Sequence, residues 1–407
     1  MSTLSRRQFL RKSGTVVGAT LLPSMVSSRP ARAADKELIP RKLPFPPNDE
    51  FGSYEPTITP DGNTIYFARF AGSGDKRVLG TTTDIFVTHR SRQSGEWPGT
   101  GADWTPPERL PDAVNSDSID QEPRITPDGN TIYFARFAGG GDKRVLGTTT
   151  DIFVTHRIRQ SGEWPGTGAD WTPPERLPDA VNSDSIDQEP RITPDGKTLY
   201  FMSRRSGNAD IWVTHKQPNG EWTKAQSLNI NTPATEHCFM PLGLPGADDT
   251  SVFVSVRPRE AGAAPTADLF TTRMDKGVWQ PARRYESKLL DSIGLKCRLN
   301  AVSRDGLVLG VVSVHDFGKF HTMQFVHYDA ASREWKGPIV PAPFNNPAID
   351  GACPMFTAGG DKMIWSAGYD RGPGPVSTSG GTGSTYDLFW LNTSDIVAYY
   401  KAKAGLS

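Results

Sequence analysis

A phrase that recurs every 67 residues constrains this sequence more than any other feature. Glu55-Pro56, Glu122-Pro123 and Glu189-Pro190 each lead into an I-T-P-D-G turn and then into T-I-Y-F or T-L-Y-F. Each copy continues into D-I-F-V-T-H or D-I-W-V-T-H, then a tryptophan, then P-E-R-L or A-Q-S-L. Such a repeat at a fixed period indicates that one structural unit is stacked several times.

Each copy predicts four short β-strands. The β-branched and aromatic residues of T-I-Y-F-A and D-I-F-V-T, bounded by Pro-Asp-Gly or glycine-rich loops, are strand and turn signals. After the N-terminal segment, we find no clear helical period. Weaker copies near Cys238, Asn300 and Pro354 raise the count to six units. Four-stranded units that cannot bury both faces alone pack radially, so we predict an all-β propeller of six four-stranded blades.

The two ends of the repeat region predict how the ring closes. The last unit lacks a fourth strand after residues 387–391, whereas P-R-K-L-P-F-P-P-N near the start copies P-E-R-L-P-D-A-V-N. We therefore expect residues 37–43 to supply the missing strand. Residues 57–123 and 124–190 differ at only three positions, which indicates a recent duplication or a sequence error, so five or seven blades stay open as alternatives. The differences are Thr57/Arg124, Ser73/Gly140 and Ser91/Ile158.

These motifs resemble the WD40-like PD40 repeats of TolB-like propellers, in which E-P-x-x-S-P-D-G-K-x-L-Y-F is followed by D-I-Y. The resemblance covers nearly all of residues 40–395 and is strongest in the first three units. It implies a six-bladed propeller that acts as a protein-interaction or ligand-binding module of the cell envelope. That functional expectation rests on analogy at the level of the fold.

The N-terminal segment has the composition of an export signal. Arg6 and Arg7 precede Gln-Phe-Leu and two further basic residues, then an apolar run over residues 14–26, then Ala-Arg-Ala ending at Ala33. This order is a basic region, an apolar region and a small-residue cleavage site. The paired arginines resemble the twin-arginine signal. We expect a signal peptide over residues 1–33, a propeller over 34–398, a C-terminal tail over 399–407, and a periplasmic or secreted location.

Charge and hydropathy argue against a nucleic-acid partner and against a membrane-spanning segment. Six of the 45 basic residues and none of the 45 acidic ones lie within residues 1–33, which leaves 39 basic against 45 acidic residues. This excess of acidic residues argues against a nucleic-acid partner. No later apolar run approaches the roughly 20 residues that span a bilayer, so we expect no integral membrane segment. We expect the partner to be an envelope protein, a small ligand or a glycan.

The repeated glutamates are the first candidate binding residues. In a propeller the first strand of each blade lines the channel, and the loops between second and third strands surround the same mouth, where function is to be sought. A ring of carboxylates there suits Ca²⁺ or a cationic group. The alternative is that each glutamate caps the backbone of the neighbouring blade. The candidate ligand-binding residues at this mouth are Glu55, Glu122, Glu189, Arg124, Arg191 and Asp350.

Blades four to six depart from the repeat. Glu236, His237 and Cys238 replace the Gln-Glu-Pro phrase, and Cys297 and Cys353 fall at or near the same point in the next two blades. Thiolate and imidazole groups bind Zn²⁺ or copper. His237 and the three cysteines are therefore candidate metal ligands, although no C-x-x-C or H-E-x-x-H spacing is present. Buried cysteine also serves as a small hydrophobic residue.

A carbohydrate-active hydrolase or lyase is one alternative function, and a metal-binding propeller is another. Glu236, His237, His315 and Asp316 offer an acid and a base, but we find no nucleophile elbow, phosphate loop or metallohydrolase spacing. Tryptophans that would stack on sugars fall at equivalent repeat positions, which favours packing between blades. We therefore predict a binding module rather than an enzyme. The sequence defines no cofactor and leaves Ca²⁺ or a transition metal open.

Two further residue sets recur with the repeat. Arg136 ends a second strand and Asp151 opens the following third strand, so we expect them to pair within the blade. The histidines at the ends of the third strands, His89, His156 and His215, are expected on the surface.

Overall fold

The repeat phrases form antiparallel strands joined by tight turns. In the second blade, Gly129 takes the left-handed backbone conformation that the Pro-Asp-Gly turn needs, with φ 73°. Asp128 accepts hydrogen bonds from the Thr126 hydroxyl and the Asn130 backbone N–H, at 2.5 and 3.0 Å, which locks the turn. The motif T-I-Y-F therefore begins a strand directly after the turn, as the sequence predicts.

The structure is a computed structural model. It describes residues 38–44, 47–48, 52–59, 61–71, 82–110, 114–116, 118–137, 149–158, 171–245, 247–286, 295–315, 322–345, 349–357, 359–369 and 385–406. The chain from Lys36 to Ser407 is one compact unit. The predicted signal peptide, residues 1–33, lies outside the described residues.

The first three blades each contain four strands that pair in sequence order. Blade 1 comprises β2 (Ser53–Ile58), β3 (Thr64–Ala71), β4 (Thr82–His89) and β5 (Glu108–Arg109). Blade 2 comprises β6 (Asp120–Ile125), β7 (Thr131–Phe137), β8 (Thr150–His156) and β9 (Glu175–Arg176). Blade 3 comprises β10 (Asp187–Ile192), β11 (Thr198–Ser203), β12 (Asp210–His215) and β13 (Gln226–Ser227).

The weaker repeats form three further blades, which confirms six rather than five or seven. Blade 4 comprises β14 (Thr235–Pro241), β15 (Thr250–Pro258), β16 (Pro265–Asp275) and two short strands, β17 (Val278–Trp279) and β18 (Arg283–Arg284). Blade 5 comprises β19 (Leu295–Arg304), β20 (Leu307–His315), β21 (Thr322–Asp329) and β22 (Glu334–Pro341). Blade 6 comprises β23 (Ile349–Phe356), β24 (Lys362–Tyr369), β25 (Thr385–Asn392) and the N-terminal β1 (Arg41–Lys42).

The ring closes through the N-terminal strand, as predicted. Strand β1 pairs antiparallel with β25 and becomes the outer strand of blade 6. The Asn48 side chain donates to the carbonyls of Leu43 and Leu388 and accepts from the Leu388 N–H, at 2.7–2.9 Å. The first strand in the chain and the last one are therefore bound within one sheet.

The asparagine at the closing strand belongs to a repeated clamp. In blade 2, Asn182 accepts from the Ile152 N–H and donates to the Ile152 and Leu177 carbonyls, at 2.8–3.0 Å. The same two-way bond to the backbone of the third strand recurs in other blades. The residues that form it are Asn48, Asn115, Asn182, Asn231 and Asn345.

Tryptophans of the fourth-strand region pack between blades, as predicted. Tyr66 of blade 1 meets Trp171 of blade 2 edge to face, with ring centroids 6.0 Å apart. The Tyr133–Trp222 and Tyr200–Trp279 pairs repeat this contact between the next blades at 6.3 and 6.2 Å. These rings are buried, so they belong to the core rather than to a sugar-binding surface.

A C-terminal helix that the sequence analysis did not predict packs on blades 5 and 6. Helix α1 (Thr393–Ala404) buries Ile396, Val397 and Tyr400, and the Tyr400 hydroxyl lies 2.7 Å from His327 Nδ1. The helix was missed because only three apolar residues mark its buried face. The predicted boundary between residues 398 and 399 falls inside it. None of the helices in the described part of the chain has the length and apolar character to cross a bilayer.

Candidate functional site

The innermost strand of each blade contains a β-bulge at the same place. The pairing register shifts around this residue in all six blades, and five of the bulge residues have positive φ, between 51 and 58°. A bulge re-aims side chains that a regular strand would point to opposite faces. The bulge residues with positive φ are Glu55, Glu122, Glu189, Cys238 and Cys353, and Cys297 lies between the shifted pairs of blade 5.

The three glutamates at these bulges join neighbouring blades. The Glu55 carboxylate accepts from the Glu122 N–H at 3.1 Å, and the Glu122 carboxylate accepts from the Glu189 N–H at 2.7 Å. Glu189 continues the series by accepting from the Cys238 N–H at 2.6 Å. Glu122 and Glu189 are only 5% and 8% exposed. Of the two interpretations that the sequence left open, these contacts match the capping of the neighbouring blade.

The arginines next to the glutamates are also buried. Arg124 and Arg191 are each 7% exposed, and each donates from Nη1 to the carbonyl of the preceding proline, at 2.8 and 3.0 Å. Asp350, the remaining candidate ligand-binding residue, lies in β23, and its side chain is outside the described set. A ligand-binding role for these residues stays a prediction.

The candidate catalytic carboxylate Glu236 is fully buried within blade 4. It accepts hydrogen bonds from the Thr232 backbone and hydroxyl and from the Ser255 hydroxyl, at 2.6–3.0 Å. Arg257 lies 3.5 Å away. Asp187 of blade 3 holds the same place, since it binds Ser183 and Arg205 in the same way. These contacts are structural, and the catalytic role of Glu236 stays a prediction.

The ion pairs of blade 2 differ from the predicted pairing. Arg136 binds Asp120 on the first strand at 2.6 Å, and Asp151 binds Arg176 on the fourth strand at 2.7 Å. Arg136 and Asp151 are directly opposite on neighbouring strands. Their charged ends instead point to the flanking strands, so that one pair joins the first and second strands and the other joins the third and fourth.

His237, Cys238 and Glu189 form one cluster at the junction of blades 3 and 4. His237 Nδ1 lies 3.2 Å from Cys238 Sγ and 3.7 Å from Glu189 Oε1, and Cys238 Sγ lies 3.4 Å from Glu189 Oε1. Burial alone would lower the pKa of His237, but Cys238 and Glu189 beside it raise that pKa well above its usual range. In the described part of the chain, this is the one group of three potential ligands whose donor atoms come together within 4.8 Å.

The structure thus brings together only some of the predicted metal-binding and catalytic residues. Two of the four candidate metal ligands, His237 and Cys238, are in contact, whereas Cys353 is not part of their cluster. The side chains of Cys297 and His315 and all of Asp316 lie outside the described residues. Sequence analysis placed Glu189 among the channel carboxylates but missed its contact with blade 4. The signal was present, because Glu189 is the last repeated glutamate before the first cysteine at the same position.

One of the three recurrent histidines is not on the surface. His89 is only 2% exposed, whereas His156 is partly exposed and His215 is exposed. Burial lowers the pKa of His89 to about 4. The prediction was wrong for His89, because its ring lies against Thr105 beside the fourth strand, 3.4 Å from that hydroxyl, whereas the His156 ring lies 3.1 Å from the Thr131 hydroxyl on the second strand.

Comparisons with known proteins show the fold and no family. No family model matches the sequence, and no curated protein matches it significantly. The α-L-arabinanase of Penicillium chrysogenum, complexed with arabinobiose, has a TM-score of 0.54 at 12% identity over 88% of this chain and 98% of that one. An α-L-arabinofuranosidase from Fusarium graminearum scores 0.50 at 13% identity over 89% and 98%. The NanB sialidase from Streptococcus pneumoniae scores 0.50 at 10% identity over 84% and 68%. At these identities the likeness extends to the β-propeller fold alone.

Proposed function

We propose that this chain is an exported PD40-type, TolB-like propeller that binds an envelope protein or a small ligand at its channel mouth. The PD40 phrases and the paired Arg6 and Arg7 support the repeat type and export by the twin-arginine pathway. Export of this kind delivers the chain to the periplasm or the exterior. The repeat geometry supports binding rather than catalysis.

One observation carries the proposal. The acidic residues that recur at the channel are engaged in joining blades, as in the 2.7 Å bond from the Glu189 N–H to the Glu122 carboxylate. The buried Glu236 is likewise engaged by its own blade. Because the repeated carboxylates are used to join blades, we expect the loops around the channel mouth to bind the partner or ligand. In blades 3 and 4, exposed residues of these loops include Asn208 and Glu260.

Site-specific photo-cross-linking in the bacterial envelope tests which face binds. A photoreactive residue replaces Asn208 or Glu260 on the mouth face, and Asp195 or Asn219 in the turns on the opposite face as matched controls, since all four are exposed. We expect one partner, of one mass, from the two mouth positions and none from the two controls. Equal cross-linking from both faces, or cross-linking from the controls alone, contradicts the proposal.

Export is tested separately with the signal itself. Replacing Arg6 and Arg7 by lysine should leave the full-length precursor in the cytoplasm if the twin-arginine pathway is used. Fractionation of cells that express each form, followed by immunoblotting, measures the distribution. Unchanged export of the double-lysine form rules out this route.

A glycoside hydrolase is the competing function, because all three solved structures compared above are glycosidases that share this fold. The purified, exported protein is incubated with arabinobiose and with an aryl α-L-arabinofuranoside. We expect no release of arabinose above that of heat-unfolded protein. Sustained turnover of either substrate would show that the protein is a hydrolase rather than a binding module.

A further inference from the structure

Blade 4 breaks the glutamate series at the point where Glu189 meets His237 and Cys238. Their three potential donor atoms, Glu189 Oε1, His237 Nδ1 and Cys238 Sγ, lie 3.2–3.7 Å from one another. The side chains come from two strands, β10 and β14, of different blades. A carboxylate, an imidazole and a thiol thus meet on one side of a blade junction.

The β-bulge is the reason that His237 and Cys238 meet. Neighbouring residues of a regular strand point to opposite faces of the sheet. In β14 the pairing shifts between His237 and Met240, and Cys238 takes φ 54°. This local turn brings the His237 ring to the same side as the Cys238 thiol, 3.2 Å away.

The distances match tetrahedral coordination of one zinc ion. Zinc binds sulfur at about 2.3 Å, histidine nitrogen at about 2.0–2.1 Å and carboxylate oxygen at about 2.0–2.2 Å. Tetrahedral angles then separate the ligand atoms by roughly 3.3–3.6 Å. The 3.2, 3.4 and 3.7 Å separations around Cys238 Sγ, Glu189 Oε1 and His237 Nδ1 differ from these values by only a few tenths of an ångström.

The carboxylate is held in the orientation that a ligand needs. Glu189 Oε2 accepts the Cys238 backbone N–H at 2.6 Å, which leaves Oε1 turned toward the thiol and the imidazole. Such outer hydrogen bonds fix the position of metal ligands. The Glu189 side chain is only 9% exposed, whereas the His237 side chain is 28% exposed, so the open side of the cluster is at the histidine.

We propose that Glu189, His237 and Cys238 form a Zn²⁺ site with three protein ligands and a fourth position open toward the channel mouth. The corresponding junction of blades 2 and 3 has Glu122, Gln188 and Glu189 in these places, which lack both thiol and imidazole. Three protein ligands with an open position are typical of zinc sites that bind a further small ligand. This inference does not depend on the proposed binding of an envelope partner.

The decisive variant restores the repeat sequence in blade 4. In His237→Gln/Cys238→Glu, blade 4 has the residue types that blades 2 and 3 carry at the same bulge, where Glu122 and Glu189 take φ 57 and 58°. The variant should therefore fold, which far-ultraviolet circular dichroism and a thermal melt verify. If the double variant does not fold, His237→Gln alone, which introduces the residue found at Gln121 and Gln188, takes its place.

Zinc content and Co²⁺ spectroscopy provide the measurements. Reduced, full-length exported protein is stripped with a chelator, reloaded with Zn²⁺ and analysed for bound metal, and a second sample is titrated with Co²⁺. We expect stoichiometric zinc and a thiolate-to-Co²⁺ charge-transfer band in the wild-type protein. The restored variant should lose the band and bind zinc more weakly by more than the roughly 10–100-fold that loss of an outer partner produces.

Cys353→Ser is the matched control, since Cys353 has the same bulge conformation in blade 6 but is not part of the cluster. It should keep both the zinc and the charge-transfer band. A band that survives in the restored variant, or one that disappears in Cys353→Ser, overturns the assignment. So does a wild-type protein that binds neither metal at micromolar concentrations.

Discussion

The two halves of the ring use the same backbone for different chemistry. Blades 1–3 place Glu55, Glu122 and Glu189 at the bulge of the innermost strand, whereas blades 4–6 place cysteines there. The backbone conformation at the bulge is almost the same in the two halves, as the φ values of 57° at Glu122 and 54° at Cys238 show. The difference teaches that the propeller dictates the bulge, while the side chain on it can be a carboxylate or a thiol.

The packing of the fourth-strand tryptophans also differs between the two halves. In the glutamate half, three tyrosine–tryptophan pairs bridge successive blades. In blade 5 the second strand has Gly310 instead, where an added Cβ would lie 2.6 Å from the Trp335 ring and 2.9 Å from Val326. In blade 5 the tryptophan therefore packs against the backbone of its own blade, rather than against a tyrosine of the preceding blade.

The strongest test of the comparison removes one bulge side chain from each half. Glu122→Ala should lower the free energy of unfolding by about 2–3 kcal/mol, because it leaves the buried Glu189 N–H without its charged acceptor. Cys353→Ala should lower it by less than about 1 kcal/mol, since a thiol is only a weak hydrogen-bonding group. Urea denaturation at pH 7 measures both. Equal losses would mean that the two halves use this position alike.

The second test addresses the packing of blade 5. Gly310→Ala should destabilise the protein by about 2 kcal/mol, because the new methyl group overlaps the Trp335 ring and the core is overpacked. Gly95→Ala is the control, since nothing lies within 4 Å of its added Cβ. Thermal and urea unfolding compare the two variants. A harmless Gly310→Ala would show that Trp335 has room to move.

The third test uses the pH dependence of stability to distinguish the two nearly identical blades, 1 and 2. The pKa of His89 is about 4 in the folded protein, below its ordinary value of 6.5. Between these values the unfolded chain binds a proton that the folded protein does not, so stability falls as the pH falls. Linkage gives a loss of about 1.3 kcal/mol at pH 5.5 relative to pH 7.5.

Paired variants assign this pH dependence. His89→Gln should flatten the curve of unfolding free energy against pH by that amount, whereas His156→Gln should change it less, because His156 of blade 2 is partly exposed. Denaturation with urea at a series of pH values gives the curves. Parallel curves for His89→Gln and the wild type would show that His89 titrates normally.

The smallest effect is expected where the duplicated blades differ on the surface. Ile158 is 58% exposed, and the matching residue in blade 1 is Ser91. Ile158→Ser should change the free energy of unfolding by less than about 0.5 kcal/mol, because it alters no buried contact. A loss above 1 kcal/mol in urea denaturation would show that Ile158 is covered in solution, for example by a second copy of the chain.

The sequence was sufficient for the architecture because the fold is made of repeats. The spacing of the Glu-Pro phrases predicted the blades, and the copy of P-E-R-L-P-D-A-V-N near the N-terminus predicted the closing strand. Helix α1 was missed, since it occurs once and has no repeat to reveal it. The buried Tyr400 of this helix contacts His327, which is far away in the sequence, so no local pattern indicates the contact.

The candidate site was predicted only in part, because it is formed by neighbours in space. His237 and Cys238 stood out as departures from the repeat, but Glu189 belongs to it, and only its place as the last repeated glutamate before Cys238 indicated a contact with blade 4. The hydrogen bonds from one blade's bulge to the next also follow from ring geometry rather than from any single repeat. The burial of His89 follows from the orientation of its ring toward Thr105, which the nearly identical sequence around His156 does not reveal.

The closing strand has a consequence for the order of folding. Asn48 and Leu388 are 340 residues apart in sequence, so the contact that completes the ring carries the largest loop-closure entropy in the propeller. During synthesis it cannot form until β25 has left the ribosome, whereas the contacts within each blade form from local segments. We therefore expect blade 6 to be completed last, when β25 emerges and pairs with β1.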